Sequence, residues 1–275
     1  MADISDRVPL DESTDDDRAR TLHRSNPNVP GAFEREVRIR PEPNADRTTP
    51  DDLTPRERSE LLCRAANVAI GVTALLLLSP VLLVVAIVVK ATSPGPMLYR
   101  QTRVGLDRRR GGGGRNSAQT LYDRRGQDLG GRAFTIYKFR TMRLNAEQGS
   151  GAVWARAGDP RVTAIGRFLR KTRIDEIPQL LNVIRGEMNI VGPRPERPSL
   201  VLRLRQQIPE YPLRHRVKPG ITGWAQINHS YDATIEDVRQ KVQFDLEYLN
   251  RQSLSEDLLI MARTLPVMLL RRGSV

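Results

Sequence analysis

Asp175 and Glu176 stand side by side in the run Arg173-Ile174-Asp175-Glu176-Ile177-Pro178-Gln179-Leu180-Leu181-Asn182. Pro178 is tolerated only in a first helical turn, and apolar residues follow it, so a helix should begin here. A carboxylate at such a start faces unpaired backbone N–H groups and the positive end of a helix dipole. That setting keeps an aspartate ionised and attracts phosphate. The competing reading is a plain N-cap with an acidic first turn. Three further features favour phosphate chemistry: a membrane segment upstream, a ring of Arg and Lys, and the turn Val191-Gly192-Pro193-Arg194-Pro195.

The cations come from several elements. Phe134 to Met142 alternates and is β-rich, which predicts a strand. Thr135, Tyr137, Phe139 and Thr141 share one face, and Lys138 and Arg140 point from the other. Two cations on one strand face are either ordinary surface or a phosphate clamp. Residues 161–173 form a basic helix candidate leading into Asp175, with Arg170 five residues and Arg173 two residues before it. A second strand is expected over 97–105, and further helices over 198–208, 234–250 and 254–271. The last helix is apolar with a basic end, suited either to the core or to the headgroup layer. Lys218 to Trp224 reads as a Gly/Pro turn into a short strand.

Residues 65–89 carry no charge. As a straight helix they measure about 37 Å, against about 30 Å of hydrocarbon. Ser79-Pro80 interrupts the segment, and Pro removes a helix hydrogen bond. Arg64 and Lys90 flank it, and the positive-inside bias places each flank on the cytoplasmic side. A helix that enters, breaks at Ser79-Pro80 and returns satisfies both flanks. Its arms, roughly 21 and 15 Å, are each too short to span.

Formal charge is +12, unevenly spread. Residues 1–60 hold 15 Asp/Glu against 10 Arg, a net of −5, which leaves +17 for the rest. A body this basic expects an anionic partner. Residues 1–60 contain few large apolar residues and are expected to be a disordered acidic tail. Residues 107–132 hold Gly111 to Gly114 and seven arginines, a flexible insertion by composition. Cys63 is the sole cysteine, which excludes a disulfide within the chain and a zinc site built on thiolates. His23, His215 and His229 show no metal spacing.

Taken together, these segments resemble the bacterial sugar transferase family, the monotopic polyprenyl-phosphate phosphoglycosyl transferases. The resemblance runs from about Arg64 to Leu270. It rests on Lys138 to Met142, Arg173 to Asn182, Gly186 to Glu196 and Val217 to Gln226, behind a membrane segment broken at Ser-Pro. The family transfers a sugar 1-phosphate from a UDP-sugar to a polyprenyl phosphate, releases UMP, uses Mg²⁺ and works at the cytoplasmic membrane face. The resemblance implies Asp175 as nucleophile and Glu176 as its dyad partner, both at the metal. It implies Lys138, Arg170 and Arg194 around the phosphates and nucleotide, with Pro193-Arg194-Pro195 as the uridine-side turn. Arg140 joins them as the second cation of the strand clamp. The chain looks like the minimal catalytic form of the family and like members that start exopolysaccharide repeat units.

The expected fold is therefore α+β and helix-rich: a monotopic membrane protein with a Ser79-Pro80-broken re-entrant helix hairpin and a cytoplasmic catalytic domain. The tail covers 1–60, the re-entrant helix 61–92 and the catalytic domain 93–275. Expected partners are the UDP-sugar, the polyprenyl (undecaprenyl) phosphate and the inner membrane; a homodimer and other polysaccharide-assembly enzymes are admitted. Nucleic acid is not expected, because aromatics make up only 5% and no stacking platform is visible. The alternatives are a membrane-anchored basic module that binds anionic lipid or nucleic acid without catalysis, and an inactive scaffold.

Overall fold

Ser59 opens the first helix by accepting a hydrogen bond from the Leu62 amide at 3.4 Å. This helix, α1 (Glu60–Thr92), holds the uncharged segment. The computed structural model describes residues 55–107, 129–144, 146, 159–229 and 234–269. The chain divides into two units, Met1–Asp46 and Arg47–Val275, and every described residue belongs to the second. Most of the expected tail and insertion thus lie outside the described residues.

The helical hydrogen-bonding of α1 runs over all 33 residues, with Pro80 inside it. The reason lies in the Ser-Pro pair. Pro80 has no N–H to give the Leu76 carbonyl, and the Ser79 hydroxyl donates to that carbonyl instead, at 2.8 Å. The lost backbone bond is replaced, as an apolar medium demands. α1 is long and apolar enough to cross a membrane, with mean hydropathy 2.9 over its most apolar stretch. Leu76, Leu77, Leu83 and Val84 around the Ser-Pro pair are well exposed.

Both ends of α1 are fastened to the body. At the start, the Arg64 guanidinium donates to the carbonyls of Val183 and Ile184, and Asn67 accepts from the Ile190 amide at 2.6 Å. At the far end, Val85 and Val89 pack with Phe139 and Leu169. Residues 56–58, inside the expected tail, are also tied down: the Arg56 amide donates to the Leu249 carbonyl, and Arg58 pairs with Asp257 at 2.9 Å.

The body is built from two small sheets and short helices. β1 (Leu98–Val104) and β2 (Ala133–Phe139) pair antiparallel, with Tyr99 opposite Lys138. α2 (Ala164–Lys171) follows and packs Leu169 inward. A 3₁₀ helix, Ile174–Gln179, leads into α3 (Leu180–Arg185). β3 (Asn189–Val191) pairs in parallel with β4 (Gly220–Thr222). Close approach here requires glycine, because a Cβ on Gly220 would overlap the Gly192 backbone nitrogen.

Between those strands lie α4 (Pro198–Gln207) and a second 3₁₀ helix, Tyr211–Arg216. The chain continues through α5 (Trp224–Asn228), α6 (Ile235–Arg251) and α7 (Leu254–Leu269). Their main core joins Leu204, Ile208, Tyr211, Val242, Leu249 and Ile260, all buried. α7 puts Ile260 in the core, as one of the two expectations has it, and leaves Leu258 and Leu265 more than half exposed. Apart from the segment at Asp175, the expected helices and strands are present among the described residues with ends shifted by a few residues. The helix-rich α+β class holds, with one long apolar helix compatible with a monotopic membrane protein.

Candidate active site

The expected α-helical start at Asp175 is instead the six-residue 3₁₀ helix, and no side chain caps it. Arg173 turns the chain into it from the left-handed region, at φ 58°. A non-glycine residue there is strained. The consequence for Asp175 reverses the dipole argument. Asp175 is only 6% exposed, and its Oδ1 is buried without a hydrogen-bond partner. Burial, and next the charge of Glu176, push its carboxyl up to about 6, against the pull of Lys138, Arg170 and Arg194. So short a 3₁₀ helix supplies no dipole large enough to hold this group at an ordinary carboxylate value.

Glu176 behaves oppositely. It is 7% exposed and accepts from Lys138 Nζ at 2.8 Å. Arg194 reaches both of its oxygens through Nη1 and Nη2, and Arg173 Nη1 lies 3.8 Å away. Burial alone raises this carboxyl, but Arg194, Lys138 and Arg173 together hold it well below the usual range. Burial lowers the Lys138 ammonium, opposed by Glu176 and assisted by Arg194. Adjacent carboxylates thus differ: Glu176 is bound directly by a cation cluster, and Asp175 beside it keeps one buried oxygen without a hydrogen-bond partner.

The motif Lys138-Phe139-Arg140-Thr141-Met142 divides its labour. Lys138 faces Glu176, and Phe139 packs on α1 and α2. Thr141 Oγ1 accepts from Arg170 Nε at 2.9 Å, which orients Arg170 so that its charge reaches Asp175. Met142 bridges to Val162. Arg140 corrects the clamp reading. It lies one residue past β2, buried, and turns away from Lys138. Its guanidinium donates to the carbonyls of Val89, Ser93 and Pro94 and to Ser93 Oγ. Those are groups at the end of α1, where unpaired carbonyls need donors. Arg140→Met should therefore lower stability by about 3 kcal/mol by orphaning these acceptors, checked by urea unfolding in detergent.

The turn after β3 is held by residues scattered through the chain. The Pro193 carbonyl accepts from the Gly220 amide, and the Pro195 carbonyl from Arg103 Nη1, both at 3.0 Å. The Arg194 carbonyl accepts from Arg214 Nη2 at 3.0 Å, and Arg214 pairs with Asp245 at 2.6 Å in the interior. Glu196 accepts from Lys241 and Arg103. Burial raises the Glu196 carboxyl, but Lys241, Arg103 and Arg214 bring it down to about 2. Pro193 and Pro195 are buried and aim Arg194 rather than exposing ring faces of their own. Arg103, Arg214, Lys241 and Asp245 were not singled out from the sequence, because no spacing links them.

The residues fit a single carboxylate contact to Mg²⁺. Asp175 has the unpartnered oxygen, and a hard cation of this kind needs only one or two carboxylates beside phosphate oxygens and water. Glu176 was expected at the metal too, but both its oxygens are engaged by cations. No group of three or more His, Cys, Asp or Glu suited to a metal occurs among the described residues.

A buried carboxylate pair ringed by lysine and arginine, in a chain with one long apolar helix, is suited to anionic ligands. Residues 58–110 and 115–271 match the family model described as "Bacterial sugar transferase". The chain is 39% identical over 222 residues to the UDP-N-acetylgalactosamine-undecaprenyl-phosphate N-acetylgalactosaminephosphotransferase of Aeromonas hydrophila, covering 81% of this chain and 47% of that protein. It is 41% identical over 208 residues to the UDP-glucose:undecaprenyl-phosphate glucose-1-phosphate transferase of Escherichia coli, covering 75% and 40%. The protein so named in Caulobacter vibrioides is 39% identical over 222 residues, covering 80% and 74%. The chain spans about half the length of the first two relatives or less. It belongs to the bacterial sugar transferase family, as its motifs led one to expect.

Proposed function

We propose that the protein transfers a sugar 1-phosphate from a UDP-sugar to undecaprenyl or a similar polyprenyl phosphate, by way of a phosphosugar carried on Asp175. The observation that carries this reading is the buried, partnerless Asp175 oxygen beside Lys138, Arg170 and Arg194. Support comes from the relatives, whose names state this substrate pairing.

The steps follow from the side chains present. Lys138, Arg170 and Arg194 bind the diphosphate and spread its charge, with Arg194 offering a two-pronged contact. A bound Mg²⁺ held by Asp175 would neutralise the diphosphate and the departing charge. Asp175, ionised above about pH 6, attacks the sugar-bearing phosphorus. An Oδ–P bond forms, the P–O bond of the diphosphate breaks, and UMP leaves with the bridging oxygen. An oxygen of the polyprenyl phosphate then attacks the same phosphorus, breaks the Oδ–P bond and restores the carboxylate. That oxygen is already ionised, so no general base is needed. Glu176 holds Lys138 and Arg194 in place between turnovers.

The membrane helix serves the second substrate. Arg64 and Arg140 fasten the two ends of α1 to the same body, and the exposed leucines lie between them. A spanning helix puts its ends on opposite sides of the bilayer, so this attachment favours the re-entrant, monotopic reading, with the body at the cytoplasmic face. The site then sits at headgroup depth, where a soluble and a lipid-bound phosphate meet. The test is UMP release from a panel of UDP-glucose, UDP-galactose and N-acetylated UDP-sugars, with undecaprenyl phosphate and Mg²⁺. Ping-pong kinetics and a covalent adduct at Asp175 are expected. Silence across the panel overturns the proposal.

A further inference from the structure

Gln179 ends the 3₁₀ helix that carries Asp175 and Glu176. It is 2% exposed, and its Nε2 is buried without a hydrogen-bond partner. In a 3₁₀ helix, side chains three residues apart eclipse one another. Gln179 therefore lies on the same side of the helix as Glu176, whose carboxylate is bound to Lys138 and Arg194. The short helix thus holds a buried acceptor in need of a donor, Asp175 Oδ1, and a buried donor in need of an acceptor, Gln179 Nε2.

A buried amide left unpaired costs roughly 1–3 kcal/mol, whereas an apolar side chain of the same length fills the space without that cost. The fold gains nothing from the amide nitrogen, so its use must lie elsewhere. The acceptor that this position lacks is one that a substrate brings. Lysine and arginine neutralise phosphoryl charge, but a neutral amide adds a directional donor without tightening ground-state binding of UMP by charge. Such a donor is effective where negative charge grows on an oxygen during phosphoryl transfer.

We propose that the Gln179 side-chain amide donates to a phosphoryl oxygen of the phosphosugar as that group is transferred to and from Asp175. This rests on the phosphosugar transfer reading given above. Gln179 is then a catalytic residue, touching the transferred group, and its neighbour Glu176 positions the cations.

The test uses the full-length protein in detergent or nanodiscs, with Gln179→Met as a near-isosteric loss of the donor. Single-turnover UMP release from a UDP-sugar is followed beside thermal unfolding. The expected result is a burst rate reduced by about 30-fold or more, with the KM for the UDP-sugar little changed and Tm equal to or above wild type. Gln179→Glu, which keeps the length but loses the donor, should be at least as slow. An unchanged burst rate in Gln179→Met overturns the proposal, and so does a fall in Tm that accounts for the lost rate. If the wild type itself releases no UMP, the transfer reading fails first; if the wild type bursts and Gln179→Met bursts equally, only the role of Gln179 fails.

Discussion

Asp175→Asn should abolish turnover and the covalent adduct, and at neutral pH it should make the protein more stable. The two effects have one cause. The folded state raises the Asp175 carboxyl from an ordinary 3.8 to about 6, through burial and the neighbouring Glu176. A raised carboxyl contributes stability that is present below the unfolded value and lost as pH climbs through the folded one. Above pH 6 the ionised, buried carboxylate therefore costs on the order of 2–3 kcal/mol. Asparagine has the same shape and no charge, so it removes that cost. Thermal unfolding at pH 7.5 should show a Tm several degrees above wild type, and the difference should shrink toward zero near pH 4. An active Asp175→Asn protein sinks the nucleophile assignment. A variant destabilised at pH 7.5 sinks the account of the site's electrostatics. The wild-type kcat/KM should also fall below about pH 6, because the free enzyme must ionise Asp175 to react.

Glu176→Gln should do the opposite to stability, although the two carboxylates are neighbours. The folded state lowers Glu176 well below its usual value, so its contribution is present above the unfolded value and lost only as pH falls through the folded one. At neutral pH that contribution is complete. Removing the anion leaves Lys138 and Arg194 buried and uncompensated, a loss of roughly 3–5 kcal/mol. It also takes away the like charge that raises Asp175, leaving burial alone to raise it against the pull of Lys138, Arg170 and Arg194. The acid limb of kcat/KM should move to lower pH. The freed cations should bind UMP more tightly, by about tenfold, which corresponds to 1.4 kcal/mol. Titration calorimetry with UMP and a pH–rate profile check both points. Unaltered UMP affinity together with an unmoved acid limb would falsify the view that Glu176 holds these cations in place.

Much of the site was legible before any coordinates. Asp175, Glu176, Lys138, Arg170 and Arg194 are each recognisable in the sequence as candidates, and the structure brings their charges together. Arg140 departs from the expected clamp because period-two alternation tells which face a residue takes only while the strand lasts. β2 ends at Phe139, and the next residue is free to turn toward α1. The helix start at Asp175 differs from expectation for a related reason. Pro178 signals a first turn but does not distinguish an α-helix from a 3₁₀ helix, and the difference decides whether Asp175 receives backbone donors.

The residues by themselves determined the apolar length of α1, its Ser-Pro pair, the order of strands and helices, and which side chains could handle phosphate. Those properties depend on neighbours along the chain, where periodicity, proline and glycine act directly. Only the folded structure decided that Glu176 takes the cations while Asp175 and Gln179 keep unpartnered atoms, that Arg140 fastens the end of α1, and that Arg103 and Arg214 hold the Pro193-Arg194-Pro195 turn. Such pairings join residues 18 to 92 positions apart. Burial strengthens each charge interaction and penalises each missing partner, so their energies exist only once packing has excluded water.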